Sequence, residues 1–275
     1  MRKILSKDKT LKNARTILSK QRKKENEMKN LSKFLLVVLA ILMVGCAQIK
    51  RAPQVNNVTV TGSGNLTTRE VTVSDFDQIE IGLTFDITLH QGEDYSVVLT
   101  SDDNFIEYIQ VEQSDGTISF GFKPGYAYNY YGVTLRADVT TPELNELRLS
   151  GSSHALLNSI TLTEDFEAEL SGSSSLDGDL NAKNASFILS GSTYIKLSGS
   201  AERLYIDACG NSLAELGNYH AEDAALEVSC NSTSVVNVAG MLDADASQYS
   251  QVFYIGSPTS VLREVNESAY VGPKK

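Results

Sequence analysis

The sequence has no tryptophan, and it has only three histidines and three cysteines among 275 residues. His90, His154 and His220 lack the spacing of metal ligands, and the chain contains neither a nucleophile elbow nor a phosphate-binding loop. We therefore predict no catalytic residue, no metal site and no cofactor. Glycine, serine, threonine and asparagine are abundant instead, which is typical of short strands joined by turns and unlike a helical bundle.

Basic residues are scarce outside the N-terminus. Residues 1–33 hold 12 of the 24 Lys+Arg and 3 of the 34 Asp+Glu, so the rest of the chain has 12 basic and 31 acidic residues. A surface with this excess of negative charge repels phosphate backbones, and we exclude nucleic acid as a partner. Cationic partners and metal ions are compatible with it.

The N-terminal residues have the pattern of an export signal. Residues 28–45 place two lysines ahead of an apolar run that ends in Gly45, the order of a secretory signal peptide. No later apolar stretch reaches the roughly 20 residues of a membrane-spanning helix. Residues 1–27 are a basic extension ahead of a serviceable start at Met28; we interpret them as a mis-assigned start and leave them out of the fold prediction.

Cys46 ends the signal in a Met-Val-Gly-Cys sequence that is similar to the bacterial lipoprotein box. The resemblance implies cleavage before Cys46 and attachment of lipid to it, although Met43 stands where leucine is usual. An ordinary signal cleaved nearby, or an uncleaved anchor, is the alternative. Residues 46–67 are then the lipidated cysteine and a flexible tether. Ala47 lacks the aspartate that retains many lipoproteins at the inner membrane, so we expect the outer membrane, on its periplasmic or its surface side.

The exported chain divides into two halves. Residues 68–140 alternate apolar and polar side chains, the pattern of β-strands. Asp115-Gly116 predicts a tight hairpin, and a short helix is expected at residues 103–108. This half is β-rich but follows no regular repeat.

Residues 141–271 carry six copies of one short segment, typified by Leu-Ser-Gly-Ser-Ser. Their central residues lie 21, 19, 19, 20 and 18 positions apart, a period that marks a solenoid. Apolar–polar–apolar stretches flank each copy, so each repeat is predicted to be strand, tight turn and strand, closed by a second turn such as residues 198–200. The central residues are Gly151, Gly172, Gly191, Gly210, Cys230 and Gln248.

A repeat this short cannot bury its apolar face alone, so successive coils must stack, with equivalent strands paired in parallel about 4.8 Å apart. We predict an all-β fold, a parallel β-helix of about 20 residues per coil, right-handed because parallel crossovers are. It forms a single domain over residues 68–271. Glycine suits the left-handed turn, so a Cβ at Cys230 and Gln248 predicts a looser turn in the last coils.

Several short sequence segments, together with this architecture, resemble the GIN domain, the head of adhesin-like lipoproteins of Bacteroides relatives. The resemblance covers about Phe76 to Val271 and implies a pectin-lyase-like solenoid, an adhesion role without catalytic residues, and trimeric assembly. Cys209, Cys230 and Gln248 depart from its Ser-Gly-Ser rule, which puts the regularity of the last coils in doubt. The segments that carry the resemblance are residues 76–81, 85–92, 102–111, 142–144 and 254–258 and the Ser-Gly-Ser series.

Two groups of residues are candidate sites. Cys209 and Cys230 lie in neighbouring copies, so stacking places them within disulfide reach, unless they are two small buried residues that never meet. Tyr126, Tyr128, Tyr130 and Tyr131 form a dense loop whose rings suit glycan or protein ligands. The alternative is a hairpin whose alternating tyrosines pack on the first half.

The carboxylate pairs Asp177/Asp179 and Asp243/Asp245 each point to one face, as Ca²⁺ ligands or acid–base pairs would. No Arg, Lys or His is expected beside them in the repeats, and we interpret both pairs as solvent-facing. The sequence thus predicts a non-catalytic envelope lipoprotein that binds a glycan or a host or bacterial surface protein, as an adhesin does. A polysaccharide-active enzyme and a structural protein of envelope assembly are the alternatives.

Overall fold

The computed structural model describes residues 56–274, which are almost entirely strands and turns; the signal, Cys46 and residues 1–27 lie outside the described residues. The first strands, with one 3-10 turn at Ile106–Tyr108, are β1 (Asn56–Thr61), β2 (Leu66–Val71), β3 (Gln78–Ile81), β4 (Asp86–Gln91), β5 (Ser96–Asp102), β6 (Ile109–Ser114), β7 (Thr117–Phe122), β8 (Tyr126–Tyr131) and β9 (Leu135–Thr141). The repeats supply β10 (Glu146–Leu149), β11 (His154–Thr161), β12 (Phe166–Leu170), β13 (Ser175–Asn181), β14 (Asn184–Leu189), β15 (Tyr194–Ala208), β16 (Leu213–Val228), β17 (Thr233–Val238), β18 (Met241–Ala246), β19 (Gln251–Ile255), β20 (Ser260–Val265) and β21 (Tyr270–Pro273).

The repeats form a parallel β-solenoid, which confirms the predicted fold class. One flank, called flank A, stacks β3, β10, β12, β14, the second halves of β15 and β16, β18 and β20 in parallel register. Flank B stacks β4, β11, β13, the first halves of β15 and β16, β17, β19 and β21. Inward residues align from coil to coil into one continuous apolar core, for example Phe187, Ile206 and Leu226.

The turn between the flanks depends on a column of glycines. Gly151, Gly172, Gly191 and Gly210 have φ angles between +72° and +88°, and each lies against its predecessor in the coil before. A Cβ on Gly191 would lie 2.6 Å from the carbonyl oxygen of Gly172, which is closer than real Cβ contacts. The periodic glycines therefore stack at one corner, as predicted, because glycine adopts the left-handed angle and the close backbone contact without strain.

One turn prediction is wrong. Cys230 and Gln248 keep the same turn, with φ of +65° and +63°, so the last coils do not loosen. The predicted second turn is present at residues 239–240, between β17 and β18, whereas β15 and β16 continue round that corner as single strands. A register shift between Lys196 and Ser198, followed by Gly199 at φ +122°, bends β15 instead.

The first half closes the N-terminal end of the solenoid. The β6–β7 hairpin is confirmed, with Ser114 opposite Thr117, and the predicted short helix is the 3-10 turn. Strand β1 pairs in parallel with β8 and lies inside the segment predicted as tether, so the folded body begins near Asn56 and not at residue 68. Buried Asp102 joins the loops by accepting backbone hydrogen bonds from Gly64 and Thr134, and these bonds lower its pKa.

Arg263 covers the other end. It aligns with buried Ala244, so its side chain occupies an inward position on β20, where the described residues supply no further coil. Its Nη1 donates a hydrogen bond to the carbonyl oxygen of Val271 on β21, 3.2 Å away. An inward-pointing charge on β20, the last strand of flank A, opposes edge-to-edge stacking of a second solenoid.

The glycine column yields a matched pair of substitutions. Gly191 and Gly125 both have φ +87°, but a Cβ at Gly125 would meet nothing within 4 Å. We expect Gly125→Ala to cost about 1 kcal/mol of unfolding free energy through its backbone angle alone. Gly191→Ala should cost about 3 kcal/mol, because the clash with the next coil is added. Urea unfolding followed by circular dichroism measures both, and equal losses would contradict tight stacking at this corner.

Candidate functional site: a groove on flank A

A groove of about 490 Å³ with a mainly apolar lining lies on flank A of the repeats. The groove crosses five successive coils. It lies where the flank A strands begin: at β12, β14, the second halves of β15 and β16, and β18. Its floor is apolar, made by the outer edges of Phe166, Ala185, Leu204 and Ala224. The polar residues that line it are Asp165, Asn184, Arg203, Tyr205, Asp223 and Asp243.

The groove exists because one large outward-facing residue is aligned with a small residue on the coil before it and another on the coil after it. Tyr205 aligns with Ser186 on the coil before it and with Ala225 on the coil after it. Neither neighbour can cover the half-buried ring, which is left as an aromatic platform beside the floor. Asn184 donates to Asp165 at 2.7 Å, and its own Oδ1 is buried without a hydrogen-bond partner among residues 56–274.

The neighbouring outward column is a run of carboxylates, called the acidic ladder: Asp207, Glu227, Asp245 and Glu264 are aligned on four successive coils. Burial of the Tyr205 hydroxyl, with Glu227 and Asp207 close to it, raises the pKa of Tyr205. The groove and the ladder are therefore adjoining parts of one acidic surface, with a neutral phenol at its centre.

The Tyr-rich segment is strand β8, not a loop or hairpin. Tyr128 and Tyr130 pack on Phe122, with ring centroids 5.0 and 5.3 Å away, and Tyr128 donates a hydrogen bond to the Lys123 carbonyl. Burial raises the pKa of Tyr128. Tyr126 and Tyr131 are 40% and 65% exposed, so these two rings face the solvent.

Cys209 and Cys230 meet at the glycine corner. Their Sγ atoms are 3.1 Å apart, and both are free thiols in this structure. Contact with Cys230 raises the pKa of Cys209, whereas a hydrogen bond from the Gly210 backbone lowers that of Cys230.

The carboxylate pairs lie in different surroundings. Asp243 lines the groove, whereas Asp177 is on flank B beside His154, whose Nε2 is 3.3 Å from its Oδ2; Nδ1 of this ring is 2.8 Å from Asp86. Lys196 aligns with Asp177 on the next coil. The expectation that no cation lies beside these pairs is wrong for Asp177, since His154 comes from the coil before.

Two chemical features are absent from the described part of the chain. No three His, Cys, Asp or Glu side chains of residues 56–274 are grouped as metal ligands. Over the same residues, no helix is long and apolar enough to cross a membrane.

The structure is a β-solenoid with a groove on one flank. The chain belongs to the family described as "Putative auto-transporter adhesin, head GIN domain", whose model matches residues 75–258. No curated protein matches the chain significantly.

Solved structures of Bacteroidales proteins share the fold. A putative adhesin from Bacteroides fragilis is 20% identical with a TM-score of 0.72, over 78% of this chain and 100% of its own. A putative lipid-binding protein from Parabacteroides distasonis is 21% identical, with a TM-score of 0.66 over 79% of this chain and 100% of its own. A putative adhesin from Parabacteroides merdae is 20% identical, with a TM-score of 0.61 over 79% of this chain and 99% of its own.

We expect Cys209 and Cys230 to form a disulfide when an envelope thiol–disulfide oxidant takes up their two electrons and two protons. With a sequence separation of 21 residues, the bond should raise the unfolding free energy by about 3 kcal/mol. Oxidised glutathione added to the purified chain is the probe, read by mass spectrometry and by thermal unfolding. Cys209→Ser is the control; a stabilisation by the oxidant that persists in this variant would refute the pairing.

Proposed function

We propose that this chain is a lipid-anchored, non-catalytic protein of the cell envelope that binds ligands on flank A, as an adhesin does. The observation that carries the proposal is the flank A groove, an apolar floor with an aromatic platform and a polar rim. Sites of this make-up bind ligands by burying apolar surface and orienting polar groups. Membership of the adhesin head family supports the same function.

The charge of the groove rim limits the ligands that the groove can bind. One structurally similar protein is described as lipid-binding, but the groove here has Asp165, Asp223 and Asp243 against Arg203 alone. An anionic headgroup would be repelled by this rim. Neutral glycans and uncharged or basic protein surfaces are the ligands that the groove favours.

A second function has one observation in its favour. His154 lies between Asp86 and Asp177, with Lys196 on the next coil, and this exposed group could transfer protons. Activity on a panel of polysaccharides that His154→Gln abolishes would establish an enzyme. A panel without turnover would leave binding as the function.

The ligand-binding proposal predicts that residues 47–275 bind to some members of a glycan array, to mucin or to an envelope protein. Tyr205→Ala should weaken this binding about tenfold, because the aromatic platform of the groove is lost. Tyr249→Ala is the matched control, since Tyr249 is 69% exposed at a turn away from the groove. A double Tyr126→Ala/Tyr131→Ala variant tests the second exposed tyrosine site. No binding by the intact fragment would exclude the function.

The anchoring proposal predicts that Cys46→Ser moves the protein from the membrane fraction to the soluble envelope fraction, because no lipid can be attached. Incorporation of radiolabelled fatty acid into the wild-type chain measures the modification directly. Protease shaving of intact cells then distinguishes the surface from the periplasmic side. Labelling that persists in the Cys46→Ser variant would place the lipid elsewhere.

A further inference from the structure

Flank A changes its charge balance along the solenoid axis. Towards the N-terminal end, Arg148 lies among three glutamates: it pairs with Glu146, and its nitrogens are 3.3 Å from Glu80 and 3.5 Å from Glu169. Each of these carboxylates therefore has Arg148 as a counter-ion within the fold, although the three share one positive charge.

The acidic ladder has no such counter-ion. None of Asp207, Glu227, Asp245 and Glu264 forms an ion pair with any residue between 56 and 274, and the same holds for the rim residues Asp165, Asp223 and Asp243. Neighbours in the ladder are in direct register, so like charges oppose each other about 4.8 Å apart, an arrangement that destabilises a sheet.

We propose that the flank A groove and the acidic ladder together bind an extended, basic segment of a partner protein. The inference rests on the proposed function and names its class of partner. Lysine and arginine side chains fit both parts of the surface, because their aliphatic stems cover the apolar floor while their cationic ends reach the ladder. The face of the Tyr205 ring adds a cation–π site.

The ladder determines the kind of recognition. Carboxylates repeat on every coil, so several registers of a basic segment satisfy them equally. Binding should therefore respond to charge density more than to one exact sequence, and it should weaken steeply with salt.

The test is fluorescence anisotropy at physiological ionic strength with residues 47–275 and a labelled decapeptide of alternating arginine and alanine. Neutralising the ladder by Asp207→Asn, Glu227→Gln and Asp245→Asn together should raise Kd about tenfold, since each exposed pair contributes up to about 1 kcal/mol. The control Glu80→Gln, Glu146→Gln and Glu169→Gln removes the same charge from the cluster around Arg148 and should change Kd less than twofold. The ladder variant should also unfold at a higher temperature than the wild type, which shows that it folds.

Three results would overturn the proposal. They are equal losses in the two triple variants, binding of an alternating glutamate–alanine peptide as tight as that of the basic one, and binding of amino-sugar oligomers without binding of the basic peptide. The glycan and mucin assays, run in parallel, separate this inference from the proposed function. If ligands still bind at the groove while the basic peptide does not, the partner class alone is wrong; loss of all ligand binding removes both.

Discussion

The close approach of successive coils at one corner is the constraint on which the rest of the structure depends. Parallel strands pair at about 4.8 Å, and at the glycine column the backbone of one coil touches that of the next. Contact of this kind leaves no room for a side chain that points along the axis. Because the corner is the same in every coil, each flank residue is held directly above its counterpart, and columns of side chains follow.

Columns multiply the effect of single residues. An inward column needs residues that fill the core, as Phe187, Ile206 and Leu226 do. An outward column repeats whatever charge or shape its members share: a run of acidic residues becomes a ladder, and Ser186 and Ala225 beside Tyr205 become a recess. The groove is thus a property of alignment, and no single coil contains it.

The parts of the structure that the sequence predicts are those set by local repetition. The glycine period predicted the stacking, the corner and the meeting of Cys209 with Cys230, because these residues lie at or beside the repeated segment. The groove was not predicted, although Ser186, Tyr205 and Ala225 each lie five positions before Gly191, Gly210 and Cys230 and are therefore aligned by the repeat itself. The recess depends on the sizes of side chains in three coils, and the period of the backbone does not include those sizes. Pairs far apart in the chain were missed because they lie outside the repeat. Strand β1 reaches β8, and His154 reaches Asp86, only through the global path of the chain.

Charged side chains have different partners at the two ends of the solenoid and on flank A. Asp102 is buried but fully engaged by backbone donors, and Arg263 closes the open coil through a carbonyl of its own chain. The glutamates around Arg148 share one counter-ion within the fold. The ladder keeps aligned, repelling charges that form no ion pair in the described part of the chain. A fold tolerates such repulsion where a function requires it, and for the basic partner proposed above the missing positive charge is the property that selects it.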